Sequence, residues 1–431
     1  MFLINRLKSE FARHTLTLLI GTGLSQAIPI IAAPLLSRMY EPKDFGLFGL
    51  FLSLAGILSV LATGRYEVAI LLPPNDEDAV NIVVLSIGVT CLFCVLLLLI
   101  VLLYRHSIAN LLGNPDLAPW LYLLPLMVLL TSVYQALNYW FNRRKQYRRL
   151  ALNRISRSLF MIGVSLGLGI TGRVPGGLIV GAVVGQGVAT LQFAWPWMIE
   201  RRAGNLKISK AGVIAMGRRY IHFVKYSLLG DTVNTVSGQM PVLVLSIFFG
   251  PAIVGYFNLT QRVLFGPSSI ISTAIGDVFR QRASEDRNVI GNFRQIWLKT
   301  FKTLAALSVP VYATVAVIAP VLFAFVFGKE WRTAGEYAQI MSPFFMLSFT
   351  ASILSRSTYI AEKQKQDMLW QIVLFSLITL ALLAGAWYHQ PVYSLGLYTI
   401  AYCGMYLVYL WMCFKYSGGD RKITLEGGEV A

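Results

Sequence analysis

The sequence predicts an all-α membrane protein of about twelve spanning helices, built as two six-helix bundles related by a pseudo-two-fold axis along the membrane normal. Three observations lead there. Of 431 residues, 56% are hydrophobic and 13% charged, with a mean hydropathy of +0.63, more apolar surface than a soluble domain can hide. Uncharged runs of about 20 residues, enough to cross a bilayer, recur along the chain. The turns between those runs repeat.

Residues 1–13 set Phe2, Leu3, Leu7 and Phe11 against Arg6, Lys8 and Arg13 and read as a short interfacial segment. The first apolar run is full length and is expected to remain as a span rather than be cleaved as a signal. Uncharged runs at 14–37, 45–64, 79–104, 117–142, 174–199, 303–328, 368–389 and 390–414 each supply one span. Segments 152–172 and 337–355 join them if charges are tolerated at an end. Segment 226–277 is too long for one span and breaks at Gly250-Pro251, so it supplies two. The N-terminal bundle then covers 14–199 and the C-terminal bundle 223–416. A cytoplasmic linker at 200–222 joins them, and 417–431 forms a cytoplasmic tail.

Two turns recur in the same order. YEPKDFGLFGL (40–50) aligns with FGPAIVGYFNL (249–259), matching Pro42 with Pro251 and Gly46 with Gly255. LLGNPDLAPWLYLLP (111–125) aligns with VFGKEWRTAGEYAQIMSP (326–343), matching Gly113 with Gly328 and Tyr122 with Tyr337. Same-side, same-order repetition implies parallel bundles, a transporter architecture.

The net charge of +17 does not signal nucleic acid. Of the 37 Lys and Arg residues, 29 lie in one set of alternate loops that includes both termini, and six in the opposite set. That asymmetry places both termini in the cytoplasm, with the cations against anionic membrane lipid. Enzyme signatures are missing. The densest acidic cluster, NDED (75–78), opens a helix, where carboxylates favour the positive dipole end. His14, His106, His222 and His389 are not spaced as ligands, and no phosphate-cradling glycine loop occurs. Cys91 and Cys94 form C-x-x-C in mid-run without an activating neighbour, which reads as packing. The expectation is a non-enzyme with no metal and no cofactor, and no ATP-driven transport by this chain alone.

The charges inside apolar runs carry the functional signal. Arg262 lies roughly 15 Å along its helix from the outer turn, near the midplane, where an isolated Arg costs at least ~2.5 kcal/mol. It needs either a structural ion pair or a water-filled cavity. Arg65 lies about 30 Å from Phe45, at the inner end of its helix. Two residues on a continuous helix point about 200° apart, so Arg65 and Glu67 are expected not to pair. Ser227, Asp231, Asn234, Gly238 and Pro241 form one polar stripe, which reads as a cavity wall or as interhelical hydrogen bonding. Arg154, Arg157, Arg356 and Asp277 fall at inner ends, where long side chains snorkel; Arg154 and Arg157 can also line a vestibule. Tyr139, Trp140 and Asn142 at an inner end read as aromatic belt, or as a platform for sugars.

GRYEVAILLPPNDEDA (64–79) resembles the exit of the second helix in the polysaccharide-biosynthesis flippases, the Wzx-type branch of the multidrug/oligosaccharidyl-lipid/polysaccharide exporter superfamily. YEPKDFGLFGL and VFGKEWRTAGEYAQIMSP are similar to that family's outer turns. The resemblance implies a bacterial inner-membrane protein that moves undecaprenyl-pyrophosphate-linked oligosaccharides from the cytoplasmic to the periplasmic leaflet. It implies alternating access between two bundles, coupling to an ion gradient, and a cationic cavity for the pyrophosphate. Arg262 and Arg65 are the positions that match the cationic cavity, with Asn234, Arg154 and Arg356 as further substrate-binding candidates. Asp231 and Glu67 are the candidate coupling carboxylates, whereas 390–414 departs from the family in having no acid. A polymerase of the same glycan pathway is a candidate partner. The alternative is a multidrug/cation antiporter of the same superfamily, whose cavity is expected to be acidic.

Overall fold

The computed structural model describes residues 2–172, 176–203 and 208–419, without the side chains of 2–16, 19, 269–270, 273–274 and 277. The expected apolar face of 1–13, the Asp277 side chain and the tail from residue 420 lie outside that set. The helices, in order, are α1 (Phe2–Met39), α2 (Pro42–Ala62), α3 (Tyr66–Ala69), α4 (Asp76–Leu111), α5 (Leu124–Arg143) and α6 (Tyr147–Ile170). Then come α7 (Gly177–Arg202), α8 (Lys210–Arg219), α9 (Leu228–Phe249), α10 (Pro251–Ile290) and α11 (Arg294–Phe327). The chain finishes with α12 (Arg332–Leu354), α13 (Arg356–Ile360), α14 (Gln364–Trp387) and α15 (Pro391–Ser417).

Ten helices among the described residues are long and apolar enough to cross a bilayer, and the protein is a multi-pass, all-helical membrane protein. Two expected spans fall outside the ten. Segment 152–172 lies in α6, whose early turns carry Arg148, Arg149, Arg154 and Arg157, and 251–277 lies in α10 with Arg262. Both are helical, but their polar residues dilute the apolar signal. Residues 2–13 do not form a separate segment: α1 runs without a break for 38 residues.

The chain divides into two compact units with the boundary at Asn258/Leu259, inside α10. The reason is local packing in the first unit, Met1–Asn258. There α9 lies along α2, and the Ser53 hydroxyl donates to Gln239 Oε1 at 2.6 Å. The two matched turns also interlock: a Cβ on Gly46 would overlap the Pro251 carbonyl, and one on Gly255 would overlap the Pro42 carbonyl. Only glycine allows backbones that close. The contact is reciprocal, as equivalent turns meeting around a local two-fold would be.

The core of the first unit gathers where α3, α4, α5, α7 and α8 converge. Tyr66, Ile70, Val80, Leu137, Phe141 and Phe193 are among its buried members. GRYEVAILLPPNDEDA therefore supplies Tyr66, Ala69, Ile70 and Ala79 to this core. Asp76 holds it to the end of α5, with oxygens 2.9 Å from Arg143 Nε and 3.0 Å from Arg144 Nη1. The NDED cluster thus acts through an ion pair as well as through the helix dipole. Trp140 is fully buried here, so it is neither belt nor sugar platform.

In the second unit, Leu259–Ala431, aromatic side chains of α12, α14 and α15 stack closely: Phe344 lies 4.5 Å from Tyr402, and Trp370 4.1 Å from Tyr409. A third repeated turn appears that the sequence comparison does not catch. At the α5–α6 junction Lys145 has φ 55°, and at α13–α14 Glu362 has φ 56°. Both turns close with the same backbone pattern: Lys145 N–H donates to Asn142 and Gln146 N–H to Phe141, as Glu362 does to Tyr359 and Lys363 to Thr358.

Candidate transport site

In the first unit the site is built on a helix break. α2 ends at Ala62, and Gly64 (φ 57°) and Arg65 (φ 60°) both adopt the left-handed conformation before α3 begins. Glycine accepts that backbone freely, whereas Arg65 pays about 1 kcal/mol for it. Strain at a non-glycine residue persists only where its surroundings hold it. Here two carboxylates do. Arg65 Nη1 lies 3.1 Å from Glu67 Oε1, and Nη2 lies 2.6 Å from Asp231 Oδ2 on α9.

That geometry corrects the expectation for Arg65 and Glu67. The helical spacing that separates them does not exist, because the chain leaves the helix at Gly64 and the two side chains turn to the same side. Glu67 is shut away from solvent, with its side chain 1% exposed; Arg65 and Asp231 are open at 22% and 40%. Burial raises the Glu67 carboxyl pKa above its ordinary value, against the opposing pull of hydrogen bonds and of Arg65. One guanidinium shared by two carboxylates leaves the cluster with room for one more positive charge, a proton or a cation. An anion can instead compete for the guanidinium, since Arg presents a fork matched to phosphate oxygens.

The other first-unit candidates separate. Arg154 donates to Thr22 Oγ1 at 2.5 Å, tying α6 to α1, and is held structurally. Arg157 lies over the Tyr134 ring at 5.8 Å. Asn234, three residues on from Asp231, is exposed along α9. In the second unit Arg262 is half-buried on α10. Arg356 lines a cavity of about 230 Å³ together with Ser268, Ser272, Ser348, Ser352 and Tyr312 and with Phe265, Phe345 and Phe349. The hydroxyls of Ser268 and Tyr312 lie 2.6 Å apart, and Ser352 Oγ is 3.3 Å from Ser272 Oγ. Hydroxyls, aromatic rings and one guanidinium share its walls.

One acid escapes the sequence reading. Asp367, at the start of α14, is buried; it accepts a short hydrogen bond from the Tyr409 hydroxyl of α15 and one from Gln371 Nε2 at 2.8 Å. It abuts an apolar run and looks like an ordinary first-turn carboxylate. Only the packing of α15 shows that it is covered.

The profile of the polysaccharide biosynthesis protein family matches residues 35–336. The chain belongs to this family. Two curated proteins are similar: the succinoglycan biosynthesis transport protein ExoT of Rhizobium meliloti, 22% identical over 323 residues, and the lipopolysaccharide biosynthesis protein WzxC of Escherichia coli, 21% identical over 328. The matches cover 71% and 75% of this chain, and only 60% and 63% of those relatives. Among solved structures, the lipid II flippase MurJ in an inward closed conformation superposes with a TM-score of 0.74 at 13% identity, covering 94% of this chain and 87% of that one. The multidrug transporter DinF-BH in complex with R6G gives 0.63 at 13% identity, covering 94% of each chain. The fold is shared with these two solved structures.

Proposed function

We propose that the protein translocates undecaprenyl-pyrophosphate-linked oligosaccharides from the cytoplasmic to the periplasmic leaflet of the bacterial inner membrane, coupled to a proton or sodium gradient. Family membership supports the substrate class, and ExoT and WzxC carry glycan-assembly names. The observation that carries the mechanism is the ion pair of Arg65 with Asp231. The pyrophosphate displaces Asp231 from the guanidinium, and the freed carboxylate takes up the coupling cation or proton. Glu67, buried beside them, keeps Arg65 oriented while the exchange proceeds. A cation exporter is the weaker reading, because the matching family is one of polysaccharide biosynthesis and the first-unit cluster centres on a guanidinium, Arg65.

The test is export of a surface glycan in cells whose own flippase is deleted, measured together with membrane protein level. Arg65→Ala is expected to insert and fail to export. Asp231→Asn keeps shape and hydrogen-bonding capacity without the titratable charge, and is expected to export weakly and without response to the gradient. Normal export by well-expressed Arg65→Ala would remove the proposed role of the cation. In proteoliposomes, transport of cationic dyes with no transport of polyprenyl-linked sugars would transfer the protein to the exporter reading.

A further inference from the structure

The first unit carries a second cationic feature, remote in sequence and composition from the Arg65 cluster. A groove of about 1200 Å³ runs along α6 and α7, with Thr17 of α1 at its side and the α5–α6 turn at its mouth. No residue of the Arg65–Glu67–Asp231 cluster lines it. Its cations gather at one end.

At the mouth stand Lys145, Arg148 and Arg149. Lys145 and Arg148 are exposed. Arg149 is aimed: Nη1 donates to Gln146 Oε1 at 2.7 Å, and its guanidinium lies 4.9 Å from the Phe141 ring centre. Ser156, seven residues along α6 from Arg149, lies about 10 Å deeper at the helical rise. It exchanges hydrogen bonds with the exposed Gln192 of α7, at 2.7 and 3.0 Å. Beside this pair sits Asn153, only 2% exposed. Its Nδ2 donates to the Ala189 carbonyl at 2.8 Å, while its Oδ1 has no hydrogen-bond partner. The groove walls also include the exposed apolar side chains of Leu152 and Leu159, at 55% and 53%.

Cations gather at one end, and beyond them amide, hydroxyl and alkyl side chains interleave along α6, partners for a phospholipid's phosphate, its glycerol esters and its chains. Polar groups opening toward hydrocarbon are costly unless something satisfies them. An ester carbonyl can accept the second Nε2–H of Gln192, the one not given to Ser156, at that depth, while the phosphate takes Arg149 and its neighbours. A free phosphate would leave the apolar walls unused, and a neutral lipid would leave the cations unused.

We propose that this groove is a binding site for an anionic glycerophospholipid of the surrounding bilayer, with its phosphate at Lys145, Arg148 and Arg149 and its ester region at Ser156 and Gln192. The site lies on the turn that Arg143 and Arg144 tie to Asp76. A lipid bound there holds α5, α6 and α7 together and stabilises the unit by mass action.

The experiment uses the full chain, purified and delipidated in a neutral detergent. Thermal unfolding and native mass spectrometry are followed as phosphatidylglycerol, phosphatidylcholine or undecaprenyl pyrophosphate is added. Phosphatidylglycerol is expected to raise Tm saturably and to appear as a bound adduct, with phosphatidylcholine much weaker. Each cation near an anionic lipid contributes about fivefold in affinity. The triple change Lys145→Gln, Arg148→Gln, Arg149→Gln is therefore expected to weaken phosphatidylglycerol binding about a hundredfold. A charge-matched control, Arg201→Gln, Arg202→Gln, Lys210→Gln, removes three cations outside the groove and is expected to leave binding unchanged. Equal loss in both triples would reduce the effect to diffuse surface charge and overturn the site. Equal response to the two phospholipids would overturn it as well. Undecaprenyl pyrophosphate binding that depends on the groove cations, without phosphatidylglycerol binding, would make it a substrate site instead. If the groove triple fails to fold, Arg148→Gln alone carries the test through an exposed side chain, with about a fivefold loss expected.

Discussion

Arg65 is held by two acids of unequal exposure, and that inequality separates their roles. Removing the guanidinium strands Glu67, whose side chain is 1% exposed. A buried charge losing its partner costs 3–5 kcal/mol when fully enclosed; with Arg65 partly open, a loss of about 2 kcal/mol is expected for Arg65→Ala. Adding Glu67→Gln to Arg65→Ala should restore most of the lost Tm, which differential scanning fluorimetry reads directly. Glu67→Gln alone behaves differently. A carboxyl whose folded pKa is raised favours the fold while protonated, and loses that contribution as pH rises from the unfolded value through the folded one. Burial raises the pKa of Glu67. The wild type should therefore lose stability across the window just above the ordinary carboxylate pKa, and Glu67→Gln should flatten that part of the Tm–pH curve. A curve unchanged by Glu67→Gln would mean that the carboxyl is not buried in the working protein. None of this was legible in the sequence. Spacing on a helix says where side chains point only while the helix continues, and the left-handed pair at Gly64 and Arg65 depends on the α9 carboxylate that stabilises it.

At the scale of elements, the spans and their turns were legible because they answer to composition and to proline and glycine chemistry. Pro42, Pro251 and Pro391 each open a helix, as the first-turn tolerance of proline predicts. The Gly46/Gly255 match was also legible, although its cause was not: the turns need glycine because each meets the other's carbonyl, a contact between distant segments. The matched turns at Lys145 and Glu362 escaped because their backbone patterns agree while their side chains do not. Two glycine substitutions test the packing argument. Gly255→Ala places a methyl group into the Pro42 carbonyl, and backbone cannot retreat as a side chain can. A loss of about 1–3 kcal/mol is expected, as for overpacking in a well-filled core. Gly238→Ala, also helical, has nothing within 4 Å of its new Cβ. It should be neutral or raise stability by up to about 1 kcal/mol through helix propensity. If the two variants melt alike in detergent, the interlock of the matched turns does not hold α2 against the Pro251 turn.

At the scale of the whole molecule, the membrane class was legible from composition, and the orientation rests on the distribution of cations. The packing of α9 on α2 was not legible, because a polar linker marks where a chain turns and says nothing of which neighbour the next helix packs against. Orientation decides the direction of transport. The loops that hold 29 of the 37 Lys and Arg residues include Arg148, Arg218 and the 280–299 segment; the positive-inside bias predicts that they face the cytoplasm. A cysteine-free background, with Cys91, Cys94, Cys403 and Cys413 replaced, allows single cysteines to report their side. Arg148→Cys, Arg218→Cys and Glu285→Cys, each at an exposed position, should resist an impermeant maleimide in unbroken cells and react after lysis. Glu330→Cys, exposed between α11 and α12, should react before lysis. The reverse pattern would turn the protein over in the membrane. The opening beside Arg65 would then face the periplasm, where a substrate made in the cytoplasm does not start, and the proposed loading through the Arg65–Asp231 pair would fail with the topology.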